Sequence, residues 1–343
     1  MSHRVALNFE DGVTRFIAAE AHENIADAAY RQGVNVPLDC RDGACGTCKA
    51  FCQSGQYEPG FYIEDALTDD EAEKGFILCC QAQAQSDMVI DIAAASTACK
   101  VAEKPVLSEV VSVERLSANR VRLSLKAVDE ALPEFLPGQY VNMDIPGLAG
   151  VSRSYSFSNA PGTEVATFLI RNVPDGAMGI YLDERAGPGD RITLHGPLGS
   201  FYLRTPQRPI LMLGGGTGVA PLLSMLETLA ASGTCAHPIH LIYGVHEEVD
   251  LVEVDRLEDL AAHIPGFTFA TTCSAPGNNH PLKGFVTDHF GTEQLNGGDA
   301  DIYLCGPPQM VDAVRQHLDA CGVTIANFYV EKFLPAKTSA VAA

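Results

Sequence analysis

No apolar run in this sequence approaches the ~18 residues that a membrane-crossing helix needs, so no spanning helix is expected. Met1 to Glu10 carry acidic and polar residues and lack an apolar signal core, which makes a cytoplasmic address the expectation. Basic residues are scarce: 23 Lys and Arg stand against 43 Asp and Glu, a formal net charge of −20. A chain this acidic repels nucleic acid and anionic membranes, so neither is expected as a partner. The imbalance is steep over residues 1–99, with 16 Asp and Glu against 6 Lys and Arg, net −10. Such a face suits solubility, and it also suits steering toward a basic protein partner. There is no internal repeat.

At 343 residues the chain has room for two or three domains, and a hydrophobic content of 46% supports sizeable cores. It has 11 cysteines. They do not read as a disulfide framework, because the chain is too long for a stapled miniprotein and lacks a secretion signal. Seven of the 11 lie before residue 100, which points to thiol chemistry there.

Three blocks follow from the patterning. Residues 1–99 hold the cysteines. Val5, Leu7 and Phe9 alternate with more polar positions, Asp11-Gly12 turns the chain and Val13 to Ile17 returns, which predicts a β-hairpin. Asn24 to Gln32 reads as a short helix closed by Gly33, and Glu58 to Lys74 as acidic and turn-rich. Residues 100–205 read as an antiparallel barrel. Its strands are Val106 to Val113, Val121 to Ala127, Tyr140 to Ile145, Ser154 to Ser158, Val165 to Asn172 and Arg191 to Leu194. From residue 206 to 343 strands and helices alternate, which predicts a parallel α/β sheet covered by helices. Ile210 to Leu213, Ile239 to Val245, Phe267 to Thr272 and Ile302 to Cys305 are its strands. Ala220 to Ala231, Val254 to Ala262 and Met310 to Ala320 are its helices, and the tail after Leu334 reads as frayed.

The strongest motif is Cys40-Arg41-Asp42-Gly43-Ala44-Cys45-Gly46-Thr47-Cys48, a C-x4-C-x2-C spacing with Cys79 and Cys80 about thirty residues on. Plant-type [2Fe–2S] centres use this spacing. Four thiolates must converge on two irons, so the backbone has to curl tightly. Gly43, Ala44 and Gly46 remove bulk there and free backbone N–H groups for the sulfurs. A structural zinc site would call for paired C-x2-C knuckles, and one is present. Cys52 reads as a bystander. The spacing alone leaves Cys79 and Cys80 open as the fourth ligand. Residues 1–99 resemble the plant-type ferredoxin domain, a β-grasp fold in which the fourth ligand is followed by Gln. Here that is Cys80-Gln81, so the resemblance implies Cys40, Cys45, Cys48 and Cys80 as metal ligands.

In isolation Arg153-Ser154-Tyr155-Ser156 is an ordinary half-buried strand. With Arg171-Asn172-Val173-Pro174-Asp175-Gly176 and Gly196-Pro197-Leu198-Gly199-Ser200-Phe201 after it, the segment resembles the R-x-Y-S flavin motif of the ferredoxin–NADP reductase superfamily. The resemblance implies an FAD site. Arg153 would pair with the flavin diphosphate, Tyr155 would pack on the isoalloxazine, and Ser154 and Ser156 would line it, with Ser156 near N5. Arg171, Val173, Gly176, Ala177, Met178 and Gly179 would bring the diphosphate loop. Many relatives have Ser or Thr where this chain has Gly179, which removes one hydroxyl contact.

Gly214-Gly215-Gly216-Thr217-Gly218-Val219-Ala220-Pro221 joins a strand end to a helix start, where missing side chains let a diphosphate approach the backbone. It departs from G-x-G-x-x-G and resembles the pyridine-nucleotide loop of the same superfamily. Gly215, Gly216, Thr217, Gly218 and Pro221 would bind there, joined by Cys305, Gly306, Pro307 and Met310. Cys305 would lie beside the nicotinamide C4, and Glu331 and Phe333 on the last strand would border the hydride-transfer site. Glu247, Glu248 and Asp250 follow the second strand without a basic neighbour, which favours NADH over NADPH, with Glu247 near the ribose.

The order ferredoxin, flavin barrel, nucleotide domain covers nearly all of residues 1–334. It resembles the reductase components of aromatic-ring-hydroxylating dioxygenases of the benzoate 1,2-dioxygenase type. Cys40 to Cys48, Tyr62 to Thr68, Arg171 to Gly176 and Leu211 to Pro221 carry the match. Related toluate and anthranilate systems have similar reductases, so the aromatic acid stays open. The implied activity is that of a ferredoxin–NAD(+) reductase: electrons pass from NADH to FAD to the [2Fe–2S] cluster and on to the Rieske centre of a terminal oxygenase. The alternatives are the reductase of a diiron phenol or methane monooxygenase, a redox sensor without steady turnover, and a structural zinc protein.

Overall fold

The structure is a computed structural model that describes residues 2–100, 105–129, 131–233 and 235–333. The tail expected to fray after Leu334 lies outside them. The chain divides into two compact units, residues 1–104 with 196–200, and residues 105–195 with 201–343. The second unit holds both an antiparallel barrel and a parallel α/β sheet.

In the first unit β1 (Ser2–Phe9) buries Val5, Leu7 and Phe9 on one face, as alternation requires. It pairs antiparallel with β2 (Thr14–Glu20) across a turn in which Gly12 takes φ +78. Helix α1 (Ile25–Arg31) starts at Asn24, whose side chain accepts the Asp27 N–H at 2.8 Å, and it buries Ile25, Ala26, Ala28 and Ala29. After the cysteine loop come β3 (Lys49–Ser54), β4 (Tyr57–Glu58), α2 (Asp69–Glu73), β5 (Phe76–Leu78), β6 (Gln83–Ala84) and β7 (Met88–Ile92). The five-stranded sheet runs β2-β1-β7-β3-β5, with β1 and β7 parallel, and α1 packs beside β2. This is the expected β-grasp. Helix α2 was not anticipated in the acidic stretch, because none of its residues is buried and no apolar period marks it. A capping box between Thr68 and Glu71 sets it instead.

The second unit opens with a six-stranded sheet, β11-β10-β13-β8-β9-β12. Its members are β8 (Val106–Ser117), β9 (Arg120–Ala127), β10 (Tyr140–Asp144), β11 (Ser152–Ser156), β12 (Val165–Arg171) and β13 (Arg191–Leu198). A bridge between Phe157 and Phe168 joins the two edges, which closes the sheet as a barrel. Val121, Leu123, Leu125, Val141, Phe157 and Phe168 fill it. Strand β8 outruns the expected Val113 because charge pairs replace apolar alternation: Glu114 lies opposite Arg122 and Glu109 opposite Lys126. Helix α3 (Ala177–Glu184) follows β12.

Then β14 (Ile210–Gly215), α4 (Val219–Ser232), β15 (Ile239–Val245), α5 (Val254–His263), β16 (Phe267–Cys273), β17 (Asp301–Gly306), α6 (Pro308–Cys321) and β18 (Asn327–Lys332) build a parallel sheet ordered β16-β15-β14-β17-β18. β14 is central and buried on both faces. Ile210 and Met212 join a core with α4 and α5, while Leu211 and Leu213 join one with α6. That is why its sequence is an unbroken apolar run. The strand order reverses between β14 and β17, so a crevice opens at their carboxyl ends. No helix among the described residues is long and apolar enough to cross a membrane.

Candidate functional site

The cysteine loop curls through positive φ at Arg41 (φ 62), Gly43 (φ 77) and Gly46 (φ 75). A Cβ on Gly43 would stand 2.3 Å from the Phe61 carbonyl oxygen, so the next segment lies directly against the loop. The thiols meet in pairs, Cys40 with Cys45 and Cys48 with Cys80, each within hydrogen-bond reach. The Ala44 N–H points at Cys40 Sγ (3.4 Å), the Gly43 N–H donates to Cys80, and Gln81 Nε2 donates to Cys80 Sγ (3.6 Å). Hydrogen bonds from the Cys48 thiol, Gln81 and Gly43 hold Cys80 below the usual thiol range. The same contact to Cys80, and burial, push Cys48 up.

Cys79 differs from its neighbour. It is fully enclosed, burial lifts its thiol to about 12, and the Cys80 and Cys99 thiols lie near it. Cys52 is half-buried and donates to the Ser54 carbonyl at 3.4 Å. Among the described residues no three His, Cys, Asp or Glu are grouped for a single metal ion. Two thiol pairs with N–H groups aimed at sulfur suit a two-iron centre with two thiolates on each iron.

On the barrel, β11 pairs with β10 so that Tyr155 faces Val141 and Ser156 faces Tyr140. Arg153 is half-buried, its Nη1 donates to the Ser152 carbonyl at 2.8 Å, and among the described residues it has no carboxylate partner. Burial raises the Tyr155 hydroxyl. The two serines do not share an environment: Ser154 is exposed and bonds Asn142 Oδ1 at 2.6 Å, whereas Ser156 is buried. Helix α3 begins at Gly176 with no side-chain cap and no acid in its first turn, so its leading N–H groups can meet an anion. Val173 and Arg171 are exposed beside it, and Met178 is buried.

Gly179 corrects an expectation. A Cβ there would lie 2.4 Å from the Val173 carbonyl oxygen and 2.6 Å from Asn172 Oδ1. No room exists for a Ser or Thr, so glycine is a packing requirement and not merely a lost hydroxyl.

At the switch point the two nucleotide-loop segments interlock. A Cβ on Gly218 would stand 2.2 Å from the Cys305 carbonyl oxygen, and one on Gly215 would stand 2.4 Å from Met310 Sδ and 3.0 Å from Pro307. Helices α4, with Pro221 buried in its first turn, and α6 start without side-chain caps or first-turn acids, as α3 does. Cys305 is fully buried opposite Glu331, itself 7% exposed, and burial, then that carboxylate, drive its thiol well up. The Phe333 N–H donates to the Gly306 carbonyl at 2.9 Å. Gly215, Gly218, Cys305, Gly306, Pro307, Met310, Glu331 and Phe333 are thus gathered in one place.

Of the three acids after β15, Glu247 and Glu248 are exposed, while Asp250 turns inward onto Arg120 at 3.1 Å. Nothing in the sequence marks Arg120 as part of this site. A lone Arg opening a strand carries no signal, and its partner lies 130 residues away in another layer.

Three family descriptions match in order: a 2Fe-2S iron-sulfur cluster binding domain over residues 8–85, an oxidoreductase FAD-binding domain over 107–202, and an oxidoreductase NAD-binding domain over 212–316. The chain is 52% identical over 334 residues to the toluate 1,2-dioxygenase electron transfer component of Pseudomonas putida, covering 97% of this chain and 99% of that one. It is 47% identical over 336 residues to the 2-halobenzoate 1,2-dioxygenase electron transfer component of Burkholderia cepacia, covering 98% and 99%. Among solved structures, the Amycolatopsis cytochrome P450 reductase GcoB superposes with a TM-score of 0.72 at 31% identity, covering 96% of this chain and 99% of that one.

Proposed function

This chain belongs to the family of dioxygenase electron transfer components that fuse a 2Fe-2S, an FAD and an NAD domain, and from that premise we propose that it feeds the Rieske oxygenase of a dioxygenase acting on a benzoate-like aromatic acid. It is a ferredoxin reductase-type oxidoreductase, and its electrons flow from NADH to FAD to [2Fe–2S]. Bound FAD supplies the step from a two-electron hydride to single electrons. A plant-type cluster at ~ −400 mV lies below Rieske centres at about −150 to +300 mV, so delivery outward is downhill.

The chain's own residues divide the labour. Cys40, Cys45, Cys48 and Cys80 would hold the two irons, in the two pairs in which their thiols meet. N–H donors from Gly43, Ala44 and Gln81 favour the charge added on reduction. Arg153 and the bare first turn of α3 take the flavin diphosphate. Tyr155 would pack on the flavin ring and Ser156 would sit near N5. Residues 215–218 with Pro307 and Met310 receive NADH, Cys305 orients its nicotinamide, and Glu331 and Phe333 flank it. Glu247 accepts from the adenosine ribose and repels a 2′-phosphate, which selects NADH. None of the 11 cysteines is paired in a disulfide, which suits a reducing cytoplasm.

The pairing of four thiols two by two is the observation that carries this reading. An anaerobic NADH titration followed by visible and EPR spectra tests it. Flavin bleaching followed by a reduced-cluster signal is expected, with NADPH far slower. Bleaching with no cluster signal would sink it. Reconstitution with a Rieske oxygenase and with a diiron hydroxylase separates the two partner classes, and turnover with the Rieske protein is expected.

A further inference from the structure

The loops of the nucleotide crevice hold no cation of their own, and Lys332, opposite Gly306 on β18, is turned onto Asp312 at 3.5 Å. Residues 214–221, 246–250 and 305–310, the loops at the ends of β14, β15 and β17, contain no Lys or Arg. A guanidinium of the barrel lies beside the first of them. Arg120, the first residue of β9, is 5% exposed. Its Nη2 lies 3.1 Å from Asp250 Oδ2 and 3.8 Å from the place a Cβ on Gly216 would occupy. Its Nη1 donates to Asn119, to the backbone oxygen at 3.1 Å and to Oδ1 at 2.7 Å. Yet Arg120 Nε and Asp250 Oδ1 are both buried without a hydrogen-bond partner. Asp250 hangs from the turn that carries Glu247, donating its N–H to the Glu247 carbonyl at 2.9 Å. Arg171 stands opposite Arg120 across the β9–β12 ladder and is exposed.

We propose that Arg120 is the residue that binds the diphosphate of NADH, reaching the Gly216–Gly218 turn from the flavin barrel while Asp250 holds it in place. The inference rests on the reading of residues 215–218 as the dinucleotide loop. A buried ion pair with a spare donor and a spare acceptor is incompletely satisfied, and such pairs are costly to keep. A diphosphate beside Gly216 offers the guanidinium a second anion, and charge-assisted bonds of this kind are the strong ones. Burial works against the Arg120 charge, and the Asp250 carboxylate supports it, so the cation is kept ready before the nucleotide arrives. Through Asp250 the same guanidinium also steadies the turn that presents Glu247. One residue of the barrel thereby serves both ends of the adenosine diphosphate half, and a nucleotide bound there ties the two layers of the unit together.

The test uses full-length protein loaded with FAD and cluster. ADP-ribose, which keeps the diphosphate and lacks the nicotinamide, is titrated calorimetrically and as a competitor of NADH. In Arg120→Met its dissociation constant should rise at least about 10-fold. The ratio of kcat/KM for NADH to that for reduced nicotinamide mononucleotide, which lacks the bridging diphosphate, should fall by a similar factor. Arg120→Lys keeps a charge but loses the fork, and should shift both readouts by about 3-fold; it carries the test if the Met variant does not fold. Equal losses with both nicotinamides would assign Arg120 a purely structural role and overturn the proposal. So would loss of FAD with ADP-ribose affinity retained, which would give Arg120 to the flavin diphosphate. If ADP-ribose does not bind the unaltered protein, the loop reading fails and takes this inference with it. Binding that persists unchanged in the variants overturns the inference alone.

Discussion

Three helices of the flavin–nucleotide unit begin in the opposite way from the two of the cysteine unit; a fourth, α5, has Asp255 in its first turn. In the cysteine unit α1 and α2 are closed by the side chains of Asn24 and Thr68, and acids fill their first turns. In the flavin–nucleotide unit α3, α4 and α6 start bare, with no side-chain cap and no first-turn acid. A capped end is finished; a bare end keeps its N–H groups and its partial positive charge for something else. The same split runs through the sites. On the proposed reading the first unit offers its cofactor four thiols, whereas the second adds to a few side chains a backbone made accessible by glycine. Side-chain ligation should fail completely when one atom is exchanged, and backbone ligation should fail by degrees as a Cβ intrudes.

The largest effect tests the first half of that contrast. Cys80→Ser should abolish the visible cluster absorption and the bound iron, while Cys79→Ser should keep both, since Cys79 is enclosed in the core. Iron and sulfide analysis with visible spectra decides it, and the reverse result would exchange the two roles. Gly218→Ala tests the second half. Its Cβ would meet the Cys305 carbonyl oxygen at 2.2 Å, and neither backbone can step aside cheaply. Displacing the turn by about 1 Å should lower kcat/KM for NADH roughly 100-fold while FAD stays bound. Stopped-flow bleaching of the flavin measures this, and a rate within 3-fold of the parent would show that the loops do not meet as described.

Gly179→Ser sharpens the contrast, because two arguments give it opposite signs. If the position simply lacks a hydroxyl, serine should tighten FAD. The packing against Val173 and Asn172 demands the reverse, a loss of roughly 10-fold in FAD affinity from about 1–3 kcal/mol of overpacking. Flavin fluorescence on titration reads the sign directly. Tighter binding would restore the hydroxyl argument.

What was legible in the sequence follows the same division. Cys40, Cys45 and Cys48 sit within nine residues, so their spacing carries the chemistry without the fold. The run Ile210–Leu213 announces a strand buried on both faces, and the glycines after it mark backbone left open. Other features depend on contacts that no local pattern encodes. Cys79 and Cys80 have the same composition and differ only in which side of the chain each faces. The crowding that fixes Gly179 comes from a carbonyl and an amide six and seven residues upstream. Arg120 and Asp250 meet across two layers, and only burial against a guanidinium distinguishes Asp250 from Glu247 and Glu248, which carry the same charge in the same turn. Helix α2 was missed because it rests on a capping box rather than on a buried face.

That capping box gives the smallest effect. Thr68 Oγ1 accepts the Glu71 N–H at 3.2 Å, and the Thr68 N–H donates back to Glu71 Oε2 at 3.0 Å. Lys49 Nζ reaches the same carboxylate at 2.6 Å, from the strand that follows the cysteine loop. Thr68→Ala should cost the first unit about 1 kcal/mol, seen as a few degrees in its melting transition. NADH-driven flavin reduction belongs to the other unit and should not change. Burial pushes the Glu71 carboxyl up, but bonds from Lys49 and Thr68 outweigh it and hold the group below its usual range. A depressed carboxylate adds stability that is complete above its unfolded value and lost as pH falls through the folded one. The cost of Thr68→Ala should therefore be constant from neutral pH down to about pH 5 and should shrink below about pH 4 as Glu71 protonates. A cost that stayed flat through that range in thermal melts would mean that Thr68 caps α2 without help from the Glu71 charge, which would make this end of the molecule depend on one hydroxyl where two groups were expected to act together.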